Sequence, residues 1–257
     1  MIWLELAGCS ELGEVMPGQF AMVRPDRWDV DPVLARPLSF LGAGGDRAEF
    51  LIRKVGRGTR SMSELRQGEP VTMLAPLGNP FPPPSPGNET ILVAGGVGLP
   101  PLLMWAERAR SGSERSEGHE VRFFYGGKTG DDLILLGRLE RASDELVLAT
   151  EDGSMGREGM VTEAVREEIA KGDGSAKVFC CGPAAMMREV AAIAESEEME
   201  CLVSLESRMA CGRGVCLGCA VEGASGGVFL VCKHGPVVSA DEVDWNREVR
   251  EQSRGAG

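Results

Sequence analysis

Residues 205–219 read L-E-S-R-M-A-C-G-R-G-V-C-L-G-C, and this stretch limits what the rest of the chain can be. Cys211, Cys216 and Cys219 follow the spacing C-x4-C-x2-C, and twelve residues separate Cys219 from Cys232, which stands inside V-C-K-H-G-P. Four thiolates with small residues between them suit a 2Fe-2S cluster, because the loop must wrap the cluster with its backbone N–H groups turned toward the sulfides. Gly212, Gly214 and Gly218 supply the freedom for that path. A structural zinc site also takes four cysteines, but such sites usually come as two C-x2-C pairs and here there is one. A disulfide framework fits less well, since the cysteines gather at one end of a long chain that shows no secretory signal.

The bulk numbers bound the partners. The chain has 257 residues, enough for two compact domains and a smaller appendage, and a 43% hydrophobic content that readily fills their cores. With 27 basic and 39 acidic residues the net charge is −12, which opposes binding to nucleic acid or to an anionic membrane surface. Leu6-Ala7-Gly8-Cys9 superficially resembles a lipoprotein cleavage box, yet no positive segment precedes it and Glu5 interrupts the apolar run. Residues 91–105 form the longest apolar stretch elsewhere; Gly95, Gly96, Gly98, Pro100 and Pro101 break it, and it is too short to span a bilayer. The expectation is a globular protein of the reducing cytoplasm.

Residues 1–87 give short apolar runs separated by Gly, Pro and Asp, with helical period only near 61–65, the pattern of a small antiparallel β-barrel. Two places carry chemistry. Arg36-Pro37-Leu38-Ser39 holds a guanidinium and a hydroxyl on a rigid extended strand, able to offer a cation to a diphosphate and a hydrogen bond to a ring edge. Val55-Gly56-Arg57-Gly58-Thr59 is a glycine-rich turn leading into a short helical stretch, suited to backbone contacts with phosphate. Alone, the first motif reads equally as a strand with an exposed arginine and the second as a hairpin turn. In this order, about twenty residues apart, they resemble the flavin domain of the ferredoxin reductase superfamily. That resemblance implies FAD held by Arg36, Pro37, Leu38, Ser39, Gly58 and Thr59, and by Leu51, Ile52 and Arg53 on the strand between.

Residues 79–88 read N-P-F-P-P-P-S-P-G-N, neither helix nor central strand, and are expected to act as a semi-rigid connector. Beyond it, strands are expected at 90–94, 121–125, 146–150, 178–181 and 202–205, with helices at 100–110, 131–141, 161–170 and 184–198. Such alternation makes a doubly wound parallel sheet with its ligand at the carboxyl ends of the strands. Gly96-x-Gly98-x-x-Pro101 is an incomplete dinucleotide fingerprint that also reads as a plain tight turn. Paired with Cys181-Gly182-Pro183, it resembles the pyridine nucleotide domain of the same reductases, which implies that Gly95, Gly96, Gly98, Cys181, Gly182 and Pro183 frame the nicotinamide. Cys180 is expected to point the other way, into the core. Glu151 and Asp152 are placed to accept from ribose hydroxyls and repel an added phosphate, favouring NAD over NADP, or to face water as a solvated acidic loop. Met186 and Met187 are expected to pack.

The segment after residue 200 offers two short strands, one at 228–232, and a polar tail after Trp245 expected to fray. It is too small to bury its own core and should lean on the nucleotide domain or on a partner. S-L-E-S-R-M-A-C-G-x-G-x-C-x-x-C, V-C-K-x-G-P-V and the E-V-x-W at 242–245 resemble the electron-transfer subunit of class B dihydroorotate dehydrogenase, a likeness covering practically the whole chain. His234 departs from it, standing where that family often has an acidic residue.

The expected fold is multidomain β plus α/β: an FAD-binding antiparallel β-barrel (1–87), an NAD-binding doubly wound parallel sheet (88–200) and a 2Fe-2S module (201–257). The resemblance implies an oxidoreductase subunit that works beside an FMN-containing catalytic subunit, two copies of each. Electrons from dihydroorotate would pass through the cluster on Cys211, Cys216, Cys219 and Cys232 and through FAD to NAD+. The chain itself shows no general base for dihydroorotate, having only His119 and His234 as histidines. Two alternatives remain open on sequence. One is an NAD(P)H:ferredoxin or sulfide-type reductase subunit, where the first cluster ligand is commonly aspartate and not a cysteine like Cys211. The other is a flavoprotein regulator with a zinc-held interaction module.

Overall fold

The computed structural model describes residues 1–29, 31–111, 118–170 and 175–255. Period-two burial builds its first sheet. In β1 (Ile2–Ala7) and β5 (Val71–Leu77) every second side chain turns inward, while β2 (Phe20–Pro25), β3 (Arg36–Gly44) and β4 (Arg47–Ile52) are buried more fully. The five strands pair antiparallel in the order β1-β4-β3-β2-β5. Leu4 and Leu6 from one end and Val71, Met73 and Ala75 from the other pack on the same core, around Phe40 and Phe50, so the sheet curls about its interior. Between β4 and β5, α1 (Arg57–Met62) starts inside the glycine turn, four residues ahead of the expected helical stretch. The Thr59 hydroxyl accepts the N–H groups of Val55 (3.0 Å) and Gly56 (3.2 Å) and so fixes that early start.

The second sheet follows the expected alternation: β6 (Glu89–Gly95), α2 (Leu99–Arg110), β7 (Glu120–Gly127), α3 (Leu136–Ala142), β8 (Glu145–Thr150), β9 (Arg157–Glu158), α4 (Val161–Ile169), β10 (Lys177–Cys181), α5 (Ala184–Ser196) and β11 (Cys201–Ser204). Its register aligns Cys181 with Ala94, Gly95 with Gly126 and Gly127 with Thr150, so the carboxyl ends of the parallel strands meet along one edge. Two helical expectations are corrected here. The helix at 131–141 is a 3-10 turn (Gly130–Asp132) and a separate α3, because Asp132 turns back to accept the Lys128 N–H (3.1 Å) and Leu135 takes a left-handed φ of 59°. The helix expected to reach residue 198 ends at Ser196, and Glu198 also lies at positive φ.

Beyond β11 come β12 (Ala220–Glu222), β13 (Val228–Leu230), α6 (Val231–His234), β14 (Val237–Ser239) and α7 (Trp245–Gly255). β14 pairs antiparallel with β11, so this end of the chain leans on the parallel sheet by joining it. The strand expected at 228–232 stops at Leu230, and Cys232 lies on the helical turn α6. His234 Nδ1 closes that turn by accepting the Leu230 N–H at 3.0 Å. The tail after Trp245 is a helix where fraying was expected: Trp245 packs on the core, Glu248 is buried and Arg247 pairs with Glu251 one turn on. The last two residues of the tail lie outside the described residues. Among the described residues no helix is long and apolar enough to cross a membrane.

The connector at 79–88 is extended and pinned. Phe81 stacks on Phe179 of β10 with ring centroids 4.9 Å apart, and Trp105 of α2 donates its indole N–H to the Pro82 carbonyl at 2.7 Å. Cys180 and Cys181 alternate into opposite cores, as expected of Cys180, and Met186 and Met187 are buried. Helix α2 is buried along nearly its whole length and lies between the two sheets. Met104 enters the core of the first, while Leu41 and Leu51 of the first pack on α2, each such side chain adding about 2 kcal/mol. A polar clamp closes the same seam: Arg138 of α3 donates to both carboxylate oxygens of Glu107 on α2 (2.7 Å each) and to Glu49 of β4 (3.0 Å). Removing it with Arg138→Ala leaves two half-buried carboxylates facing each other. The expected result is a loss of about 2 kcal/mol in urea unfolding. An unchanged unfolding midpoint would show that the apolar seam alone holds the sheets together.

Candidate functional site

At the carboxyl edge of the parallel sheet, two loops touch through their backbones. A Cβ on Gly98 would run into the Cys181 carbonyl, and one on Gly182 would lie 3.0 Å from the Gly95 backbone. Gly96, at φ 53°, takes the turn that carries the first loop into α2. The loops read as framing a ligand thus meet side by side at the edge of an open cavity of about 250 Å3. Gly95, Gly96, Val97 and Pro183 line it, with Ala185 and Met186 of α5 beside them. Of the expected residues, Gly98, Cys181 and Gly182 shape the loops from behind the lining. The Cys181 thiol is buried in the core, which pushes its pKa well up, so its backbone and not its sulfur serves the site.

Glu151 reaches the cavity wall, whereas Asp152 is spent on its own turn, accepting from the N–H (3.0 Å) and hydroxyl (2.6 Å) of Ser154. Sequence reasoning missed Gly126, Gly127, Lys128 and Asp132, which also line the cavity. The signal was a second glycine pair closing the second strand at the same sheet edge. It also missed Tyr125, whose buried hydroxyl lies 3.2 Å from the Gly96 carbonyl and 3.0 Å from that of Asp132 and donates between them. Burial pushes that phenol well above its ordinary range and keeps it neutral.

Arg53, from the end of β4, enters the same cavity from the first sheet. In the first sheet's domain the two phosphate-type motifs meet: a Cβ on Gly58 would lie 2.5 Å from Arg36 Nε, so only glycine lets the guanidinium rest against the start of α1. Arg36 also donates to the Leu34 carbonyl and sits over the Trp28 ring, 5.4 Å from its centroid. Trp28 is buried and anchored through its N–H to Ser61 (2.9 Å), a support no local pattern reveals. Pro37 and Ser39 are half-buried on the face of β3 opposite Leu38, which with Leu51 and Ile52 belongs to the core. The Thr59 hydroxyl is occupied by the turn it caps.

The cysteine loop folds around its own sulfurs. Cys211 Sγ accepts N–H groups from Arg213 (3.4 Å) and Cys216 (3.5 Å), Cys232 Sγ accepts from Gly214 (3.0 Å), and Cys216 Sγ from Gly218 (3.5 Å). Those donors from Arg213, Cys216 and Val215 hold the Cys211 thiol down at about 6. Burial beside Cys219, with the two sulfurs 3.2 Å apart, pushes Cys232 up to about 11. Backbone N–H groups aimed at sulfur are the donor set an iron-sulfur cluster requires. Among the described residues no three His, Cys, Asp or Glu side chains converge on a single-ion position. Gly212, at φ 66°, presses the loop onto the first sheet, where a Cβ would meet Met22 at 2.6 Å and Leu77 at 3.0 Å. Glu206 begins the loop beside Arg53; crowding by protein raises its carboxyl, and the Arg53 charge partly offsets that.

Residues 206–244 match the family model for the iron-sulfur cluster binding domain of dihydroorotate dehydrogenase B, and residues 92–192 that of the oxidoreductase NAD-binding domain. The dihydroorotate dehydrogenase B (NAD+) electron transfer subunit of Clostridium acetobutylicum is 35% identical over 91% of this chain and 88% of its own. The probable subunit of the same kind from Methanopyrus kandleri is 36% identical over 89% and 80%. Among solved structures, an NADH-dependent reduced ferredoxin-NADP oxidoreductase studied for flavin-based electron bifurcation superposes with a TM-score of 0.82. The two are 25% identical, over 98% of this chain and 88% of that one. The cytochrome b5 reductase domain of Ulva prolifera nitrate reductase shares the fold, with a TM-score of 0.65 over 77% of this chain and 87% of its own. The chain therefore belongs to the family of dihydroorotate dehydrogenase B (NAD+) electron transfer subunits.

Proposed function

We propose that this chain is the electron transfer subunit of an NAD-dependent dihydroorotate dehydrogenase, linking a catalytic partner subunit to NAD+ in the de novo synthesis of UMP. The observation that carries the reading is convergence: Arg53 from the flavin-type strand shares a cavity with Gly95, Gly96 and Pro183, while the cysteine loop packs on the same sheet through Gly212. On this reading Cys211, Cys216, Cys219 and Cys232 hold a 2Fe-2S cluster. Arg36, Pro37, Leu38, Ser39, Leu51, Ile52, Arg53, Gly58 and Thr59 form the FAD site, and Gly95, Gly96, Gly98, Cys181, Gly182 and Pro183 form the floor for NAD+. The flavin, when bound, stores electron pairs and the cluster carries single electrons, as a link between a one-electron carrier and a nicotinamide demands.

The residues divide the remaining work. The glycine loops keep the cavity floor free of side chains, and Glu151 on its wall opposes a 2′-phosphate, which supports NAD over NADP. Arg36 at the start of β3 and Arg53 just past the end of β4 place positive charge on the flavin-type sheet of a chain whose net charge is −12. Cys219 and Cys232 are buried, whereas Cys216 is exposed between Val215 and Leu217, which are 80% and 63% exposed. We assign that apolar rim to the catalytic subunit, which carries FMN and joins this chain as a complex of two copies of each. The division into 1–87, 88–200 and 201–257 and a cytoplasmic location, suited to eight unpaired cysteines, belong to the same proposal.

Affinity capture of the chain from its native cell should bring down an FMN protein that oxidises dihydroorotate. Recovery of a ferredoxin-dependent or sulfide-reducing partner instead would overturn the assignment to pyrimidine synthesis. For the chain alone, Arg36→Ala removes a charge-assisted contact and should weaken FAD binding about tenfold, read as flavin lost on gel filtration. Full flavin content in that variant would mean that the Arg36 strand does not hold the cofactor.

A further inference from the structure

Helix α5 begins directly after Cys181-Gly182-Pro183, and its first turn carries Ala185 and Met186 on the cavity wall. A helix start leaves backbone N–H groups without partners, and a side chain at the capping position usually takes one of them. Pro183, which holds that position here, has no such side chain and makes no capping bond. The acceptor comes from the far end of the sequence: Gln252 Oε1, on α7, receives the Ala184 N–H at 2.6 Å, sixty-eight residues away. Trp245, Glu248 and Gln252 lie at helical spacing on one stripe of α7. Trp245 packs on the core and fixes its indole N–H to the Ala240 carbonyl (2.9 Å), and Glu248 is buried. Another side of α7 and the residue just before it grip the cysteine module: Arg247 pairs with Glu222 of β12, and the Asp244 N–H donates to the Glu222 carbonyl at 3.2 Å. Residue 222 is three positions beyond Cys219.

We propose that Gln252 is a positioning residue for the nucleotide end of the cavity, capping α5 in trans along the chain and thereby fixing the Pro183 corner against which NAD+ rests. The assignment rests on the reading of the cavity as the NAD+ site. Through α7 the corner is also tied to the strand that follows Cys219, so the module that grips the thiols and the loop that meets the nucleotide share one support. A glutamate at position 252 keeps an acceptor oxygen and adds a charge that a helix start favours; an alanine supplies neither.

Two readouts on the full chain with its cofactors separate the possibilities. In Gln252→Ala, amide hydrogen exchange at Ala184 should quicken about fivefold, and the KM for NADH in the reduction of ferricyanide should rise by a similar factor with kcat little changed. Gln252→Glu should restore both. Unchanged exchange at Ala184 in Gln252→Ala would overturn the cap. Faster exchange with an unaltered KM would overturn the positioning role, as would a glutamate variant as impaired as the alanine one. Failure of the unsubstituted chain to react with NADH, with exchange responding as expected, would instead overturn the reading of the cavity as an NAD+ site and the positioning role with it.

Discussion

The structure depends on a place where two loops meet with no side chains between them. Gly98 lies against the carbonyl of Cys181, and Gly182 against the backbone of Gly95, at the edge where the parallel strands end. Any Cβ there would wedge the loops apart, and with them the start of α2 and the start of α5. Helix α2 is also the element that packs on the first sheet, so this contact reaches beyond the nucleotide loops. It sets where Arg53 stands relative to Gly96 and Pro183 and gives the cavity its floor.

Charge is distributed around that frame with the same economy. A chain of net charge −12 sets Arg36 and Arg53 at the ends of two strands of the first sheet, Lys128 at the cavity and Arg213 inside the cysteine loop. The loop adds backbone dipoles: N–H groups turned toward the Cys211 sulfur favour its thiolate before any metal arrives. Elsewhere burial acts in the opposite sense. Cys180, Cys181 and Cys201 are held as neutral thiols by the cores around them, and burial likewise raises Cys232 inside the loop module, so Cys211 is the thiol that its backbone donors hold down.

What could be read from sequence follows from range. Runs of β-branched and aromatic residues betrayed the parallel strands, glycines marked the loops that meet at the sheet's carboxyl edge, and the cysteine spacing carried its own chemistry, because each is a local requirement. The misses have two sources: local bonds between side chain and backbone that override the pattern, and contacts between distant elements. Leu135 breaks a helix because Asp132 turns back to Lys128, and Cys232 leaves its strand because His234 closes a turn over Leu230. The polar tail becomes a helix because a single stripe of it finds α5. Trp28 under Arg36 and Gln252 over Ala184 are contacts between distant residues, and no spacing rule announces them. The Thr59 hydroxyl is likewise engaged by its own turn and starts α1 early, a local bond that composition does not display.

The central claim is that three redox sites share one polypeptide closely enough to exchange electrons, and anaerobic titration of the purified chain with NADH addresses it directly. Stepwise addition should bleach the flavin absorbance and, in the same samples, raise the paramagnetic signal of a reduced 2Fe-2S cluster, with no partner subunit present. A flavin that bleaches while the cluster stays oxidised, or a chain that responds to NADH with neither signal, would contradict the account.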